Sequence, residues 1–282
     1  MSAAPAPAAG GAELPIGVFD SGVGGLTVLR ALCAVLPGES FIYLGDTARL
    51  PYGTKSGHTV ARYALQATDE LIGRGIKCLV VACNTASAAA LPALQQRSSQ
   101  LPVVGVIEPG ARAACAASRN GRIAVLATES TVRGGAYTQA IARIRPEAEV
   151  SAIACALFVA LAEEGWTEGP VAMAAAERYL APLRSVPARA PDTIVLGCTH
   201  FPVLKSVIAA AAGPGVRLVD SAATTAQEVR ALLAARGLQR ATGAAPPQLR
   251  FLATDAVDRF AAVGGRFLGA PIAADEVELI DL

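Results

Sequence analysis

Two stretches decide how this chain folds: Ile76-Lys-Cys-Leu-Val-Val-Ala-Cys-Asn-Thr85 and Pro191-Asp-Thr-Ile-Val-Leu-Gly-Cys-Thr-His200. Each runs from a short apolar, β-rich segment through a small residue to a cysteine and a polar pair, and then into a helical pattern. A match of this kind suggests two similar α/β lobes, each offering one cysteine to a shared cleft.

Outward from these stretches the same alternation continues. Strands are expected at Pro15–Phe19, Phe41–Leu44, Cys78–Ala82, Pro102–Ile107, Ile123–Ala127, Thr193–Gly197, Val216–Val219 and Leu249–Leu252. Amphipathic or alanine-rich stretches separate them, among them His58–Gly73, Gly134–Ile144, Val171–Leu183 and Ala222–Ala235. Strand–helix alternation of this type predicts α/β architecture, with mainly parallel sheets flanked by helices. Ile153–Ala162 reads as one buried element. Several strands end in a chemically capable residue: Phe19 leads to Asp20–Ser21, Ala82 to Cys83–Asn84–Thr85, Gly197 to Cys198–Thr199–His200, and Val219 to Asp220–Ser221. Ligands of open α/β sheets bind beyond the carboxyl ends of the strands, so one edge of the molecule is marked as its working face.

Composition narrows the function classes. The chain has 282 residues, a formal net charge of +1 and no cluster of Lys or Arg, so the basic footprint of a nucleic-acid binder is missing. Although 53% of residues are hydrophobic, much of this is alanine, and no apolar run approaches the roughly 18 residues of a spanning helix. Met1–Ala12 is rich in Ala, Pro and Gly and is read as part of a disordered extension, not a targeting peptide. A cytoplasmic protein with no membrane partner is expected. The six cysteines show no C-x-x-C spacing, and His58 and His200 are the only histidines. Free thiols in a reducing compartment are therefore expected, and no metal site.

Cys33, Cys78, Cys115 and Cys155 sit in apolar contexts and read as core filling. Cys83 and Cys198 differ, because each ends a strand and precedes polar residues at an expected helix start. Orphan N–H groups and the helix dipole there would lower a thiol pKa and poise both as thiolates. Two such groups across a cleft suit racemisation at an amino-acid α-carbon, which needs a base on one face and an acid on the other. A redox pair fits less well without C-x-x-C spacing, and a binding protein without turnover would not need both cysteines. Asp20, before the glycine-rich Gly22-Val-Gly-Gly25, is a helix N-cap or a catalytic assistant. The glycines lack the full dinucleotide pattern, but a glycine-rich turn opening a helix can offer N–H groups to a carboxylate. His200 is either a proton-transfer partner of Cys198 or a structural histidine. Glu163, after the apolar run, is either a functional carboxylate or, with Glu164, a solvated helix end.

The chain also resembles the glutamate racemases of the aspartate/glutamate racemase superfamily. The resemblance lies in Ile16-Gly-Val-Phe-Asp-Ser-Gly-Val-Gly-Gly-Leu-Thr-Val28, Tyr43-Leu-Gly-Asp-Thr-Ala-Arg-Leu-Pro-Tyr-Gly53, Val81-Ala-Cys-Asn-Thr-Ala-Ser-Ala88, Leu196-Gly-Cys-Thr-His-Phe-Pro202 and Val219-Asp-Ser-Ala222. It implies two pseudo-symmetric lobes with the active site in the cleft between them, and no cofactor. One lobe would be discontinuous, 14–106 plus 217–282, the other would span 107–216, and 1–13 would be a disordered extension. The resemblance further implies that Cys83 acts on the D-enantiomer of glutamate, assisted by Asp20. Cys198 would act on the L-enantiomer, assisted by His200 and Glu163. Substrate contacts would come from Asp20, Ser21, Tyr52, Gly53, Asn84, Thr85, Thr199 and His200. The implied role is supply of D-glutamate for peptidoglycan, by an enzyme that is often a homodimer. Two departures stand out: Ala156 and Ala160 replace prolines, and Ala127 replaces a glycine.

Overall fold

Strands buried on both faces need helices on both sides, and the chain builds two such layers. The structure is a computed structural model and describes residues 11–97, 100–241 and 245–282. In the first part of the chain β1 (Ile16–Asp20), β2 (Phe41–Gly45), β3 (Cys78–Val81) and β4 (Val103–Gly105) alternate with α1 (Leu26–Val35), α2 (Gly57–Gly73) and α3 (Asn84–Arg97). After α4 (Ile107–Ala117) come β5 (Arg122–Ala127), α5 (Glu129–Gly134), α6 (Ala136–Ile144), β6 (Glu149–Ala154), α7 (Ala156–Glu164) and α8 (Gly169–Arg184). Then follow β7 (Thr193–Gly197), α9 (Lys205–Ala212), β8 (Arg217–Asp220), α10 (Ser221–Arg236), β9 (Leu249–Ala253), α11 (Val257–Leu268) and β10 (Val277–Leu279).

The strands form a six-stranded sheet in the order β10-β9-β2-β1-β3-β4 and a four-stranded sheet in the order β6-β5-β7-β8. All described pairings are parallel. β1, β2, β3 and β7 are buried at every position, which is why they read as continuous apolar runs and not as alternating ones. The expected class, two mainly parallel sheets flanked by helices, is the one observed.

Four expectations are corrected. β6 and β10 were not anticipated. Each is the outer strand of its sheet and is largely exposed, so neither carries a strong apolar signal. Ile153–Ala162 is not one element: Ile153 and Ala154 close β6, and the chain turns at Cys155 into α7. The first lobe does not resume at 217, because β8 pairs with β7, with Val195 opposite Val219. The chain returns afterwards, as α10 packs on α1 and β9 pairs with β2. Finally, the expected disorder over 1–13 falls mostly on residues outside the described ones, and Gly11–Glu13 forms a 3-10 turn. Lys77 Nζ donates to Ala12 O at 2.6 Å, and Lys77 itself makes a buried ion pair with Glu39. Among the described residues no helix is long and apolar enough to cross a membrane.

Candidate active site

Parallel strands that share a direction deliver their carboxyl ends to one edge, and β1, β3 and β7 bring the marked residues there. Asp20 is the last residue of β1 and is fully buried. Its Oδ2 accepts from the Gly22 N–H at 2.9 Å and from Tyr43 OH at 3.4 Å. Its Oδ1 has no hydrogen-bond partner among the described residues. Burial raises the Asp20 pKa, against the lowering effects of His200 and the Gly25 and Gly22 amides.

Cys83 follows β3 and caps α3 with its sulfur: Sγ accepts from the Ala86 N–H at 3.4 Å and donates to Ser21 Oγ at 3.5 Å. The expected lowering of this thiol is not found. Burial pushes Cys83 up to about 12, and the neighbouring Asp20 carboxylate adds to the shift, so the amide at the helix start is outweighed. Cys198, also buried, follows β7. The helix start expected beyond it is only a 3-10 turn, Phe201–Leu204, ahead of α9. Its polar partner is a side chain instead, His200 Nδ1 at 3.8 Å from Sγ.

His200 is held from behind by Glu163 of α7, with Nε2 3.1 Å from Oε1. The other Glu163 oxygen accepts from Arg259 of α11 at 3.1 Å, whereas Glu164 is exposed. Burial alone would depress the His200 pKa. Its hydrogen bonds to Cys198 and Glu163 prevail and raise it to about 10. The hydrogen bond to His200 in turn lowers the Glu163 pKa against the penalty of burial. One side of the cleft thus pairs a thiol with a carboxylate, the other pairs a thiol with an imidazole.

Ser21, Asn84, Thr85 and Thr199 are buried around these groups. Asn84 Nδ2 is buried with no hydrogen-bond partner among the described residues. An acceptor at Asp20 and a donor at Asn84 therefore stand desolvated within one cleft, which is costly unless a ligand answers them. The Tyr52 hydroxyl donates to Asp46, and its ring lies among Phe19 and Tyr63. Gly53 faces the opposite lobe so closely that a Cβ there would stand 2.9 Å from Thr128 Cβ.

The two lobes meet directly. Thr27 Oγ1 donates to Thr199 O at 2.9 Å, and Thr85 Oγ1 lies 2.9 Å from Thr128 Oγ1 and 3.2 Å from Thr131 Oγ1. At Gly24 a Cβ would fall 2.4 Å from His200 Nδ1 and 2.5 Å from Thr199 Oγ1, so only glycine lets the lobes close here. Tyr43, Thr27, Thr131, Tyr137 and Arg259 were not among the sequence candidates. Each lies in a regular strand or helix, Thr27 and Tyr43 within the stretches that carry the resemblance, and only folding brings the side chains to the cleft. Among the described residues no group of three or more His, Cys, Asp or Glu side chains is arranged to hold a metal ion.

Comparison with known proteins bears on this geometry. Residues 21–229 match the family described as Asp/Glu/Hydantoin racemase. The glutamate racemase of Geobacter metallireducens is 55% identical over 257 residues, covering 91% of this chain and 93% of that one. The crystal structure of a glutamate racemase from Bacillus anthracis superposes with a TM-score of 0.89 at 37% identity, covering 95% of this chain and 98% of that one. The glutamate racemase of Francisella tularensis in complex with D-glutamate gives 0.88 at 35% identity, covering 96% and 98%. The chain therefore belongs to the Asp/Glu/hydantoin racemase family, and these three relatives, each at 35% identity or more, are glutamate racemases.

Proposed function

We propose that this chain interconverts L- and D-glutamate by passing the α-proton between the substrate and two cysteines on opposite faces of it. The observation that carries this reading is that Cys83 and Cys198 end strands of two different sheets while each keeps a separate proton-handling partner, Asp20 and His200. Glutamate is taken as substrate because the relatives matched at 55% and 37% identity carry that name.

With its pKa near 12, Cys83 enters the cycle as a neutral thiol, an acid. His200, raised to about 10, is an imidazolium at neutral pH and is the cation that a sulfur anion at Cys198 needs beside it. L-Glutamate then meets a base at Cys198. The Cα–H bond breaks as an S–H bond forms there, and the electron pair is delocalised into the α-carboxylate. Cys83 gives its S–H proton to the opposite face, leaving a thiolate at Cys83, a thiol at Cys198 and D-glutamate. The reverse direction runs the same steps from Cys83. Asp20 Oδ1 is an acceptor for the substrate ammonium, and Asn84 Nδ2 is a donor to a substrate carboxylate. Ser21, Thr85, Thr199 and Gly53 border the same space. Tyr52, whose hydroxyl is held by Asp46, is the remaining contact that the family resemblance implies.

Base and acid both come from the chain, so the scheme calls on no pyridoxal phosphate, metal or nucleotide. In this reading the product serves peptidoglycan synthesis in the cytoplasm, as the family resemblance implies. The test is proton NMR of L-glutamate, and separately L-aspartate, with the purified protein in deuterated buffer. Loss of the α-proton signal from glutamate alone is expected. Loss from aspartate alone would overturn the substrate, and no loss from either, with folded protein and reduced thiols, would overturn the reaction.

A further inference from the structure

The side chain that follows Cys83 is held from the other lobe. Tyr137 OH, on α6, donates to Asn84 Oδ1 at 2.7 Å. The phenol ring is confined in a slot between two glycines: a Cβ on Gly197 would lie 3.0 Å from Tyr137 Cε2, and one on Gly110 would lie 3.2 Å from both Cε1 and the hydroxyl. Gly197 immediately precedes Cys198. One buried ring thus rests under the backbone at one cysteine and grips the side chain next to the other.

An asparagine amide has two ends of opposite hydrogen-bonding character. By occupying Oδ1 with a donor, Tyr137 fixes which end is left over, and the end left over is Nδ2, buried without a partner among the described residues. Asn84 directly follows Cys83, which puts this N–H donor beside the carbon that reacts. The group there that gains negative charge as the α-proton leaves is the α-carboxylate, and a fixed donor aimed at developing charge lowers the barrier. We propose that Tyr137 is a positioning residue for the reaction: it holds the Asn84 amide with Nδ2 toward the substrate α-carboxylate and ties that donor to the Cys198 lobe. The assignment rests on the racemase reading above.

The experiment measures kcat/KM for glutamate, together with thermal midpoints, for wild type, Tyr137→Phe, Asn84→Ala and the double variant. Tyr137→Phe keeps the ring in its slot and removes only the hydroxyl. It is expected to lower kcat/KM about tenfold, within the range of one lost hydrogen bond to a neutral group. Asn84→Ala is expected to lower it further, and the double variant to match Asn84→Ala alone, because Tyr137 acts through that amide. A purely structural tyrosine would give losses that multiply. Wild-type kcat/KM in Tyr137→Phe, or multiplied losses in the double variant, would overturn the proposal. If Tyr137→Phe is unfolded at the assay temperature, Gly110→Ala substitutes for it, crowding the hydroxyl and the adjoining ring edge. Its several-fold loss should likewise vanish in the Asn84→Ala background, and a loss that persists there overturns the proposal. Absence of glutamate racemisation by wild type would instead break the underlying reading.

Discussion

The two sides of the cleft start from nearly the same local sequence and end in opposite electrostatic settings. After β3, Cys83 faces the buried carboxylate of Asp20, and both burial and that negative neighbour favour the neutral thiol. After β7, Cys198 faces His200, whose far nitrogen is held by Glu163, itself tied to Arg259 on α11. Chemically identical thiols are thereby given unlike neighbours, a carboxylate on one side and an imidazole on the other. What separates them is not the residue, the strand end or the turn, but the side chain that tertiary folding brings alongside each.

The largest effect comes from removing either thiol. Cys83→Ser and Cys198→Ser should each lower kcat/KM by at least on the order of 10³-fold, since a serine hydroxyl is a far weaker acid and base at neutral pH. Because the enantiomers have equal free energy in water, kcat/KM must fall equally in both directions for any variant. Asymmetry between the sides has to be sought elsewhere, in kcat for each direction. Near-normal activity in either variant would dissolve the comparison altogether.

Next in size is Gly24→Ala. The added methyl cannot fit beside His200 and Thr199, so the lobes are wedged apart on the Cys198 side. A misplacement of about 1 Å costs on the order of 10²-fold in rate, and kcat/KM should fall by that much while the thermal midpoint moves little. A variant as active as wild type would mean that closure at this point is not needed.

Glu163→Gln should have a smaller effect, about tenfold, but a diagnostic one. Without the carboxylate the His200 pKa falls from its raised position, so the alkaline limb of the kcat profile moves to lower pH, most visibly in the L-to-D direction. The sign for stability follows from the same shift. A histidine whose pKa is raised on folding stabilises the protein fully below its ordinary value near 6.5, and this stabilisation is lost as pH rises toward about 10. Wild type should therefore lose melting temperature through that window more steeply than Glu163→Gln. Parallel curves would return His200 to a structural role.

The smallest catalytic effect is expected at Lys77, whose ion pair with Glu39 is buried at the amino end of β3, away from the cysteines. Lys77→Met leaves a carboxylate buried without its partner and should cost roughly 3–5 kcal/mol of stability, read from urea unfolding. The activity per folded molecule should stay at the wild-type value, and a change there would show that the balance between the two sides depends on more than their own neighbours.

Much of this was legible in the chain. Buried parallel strands write themselves as apolar runs, so β1, β2, β3 and β7 could be found, and the polar residues at the ends of β1, β3 and β7 could be singled out. Exposed outer strands such as β6 do not, because a strand that packs little carries little pattern. The pairing of β8 with β7 was likewise hidden, since nothing in Arg217–Asp220 says which sheet it joins. At the cleft, Asp20, Cys83, Cys198 and His200 were legible as strand-end residues with suitable chemistry. Tyr137 and Arg259 were not, because a tyrosine or arginine within a helix looks the same whether it meets solvent or a partner more than fifty residues away.

The sequence alone determined which atoms can do chemistry here and at which edge of the sheets they emerge, because strand direction and residue type are both local properties. It also suggested that both thiols would be lowered in pKa, and for Cys83 this was reversed. The pKa of a buried thiol is set by desolvation and by charges within a few ångströms, and the identity of those neighbours is decided only when the chain has closed upon itself.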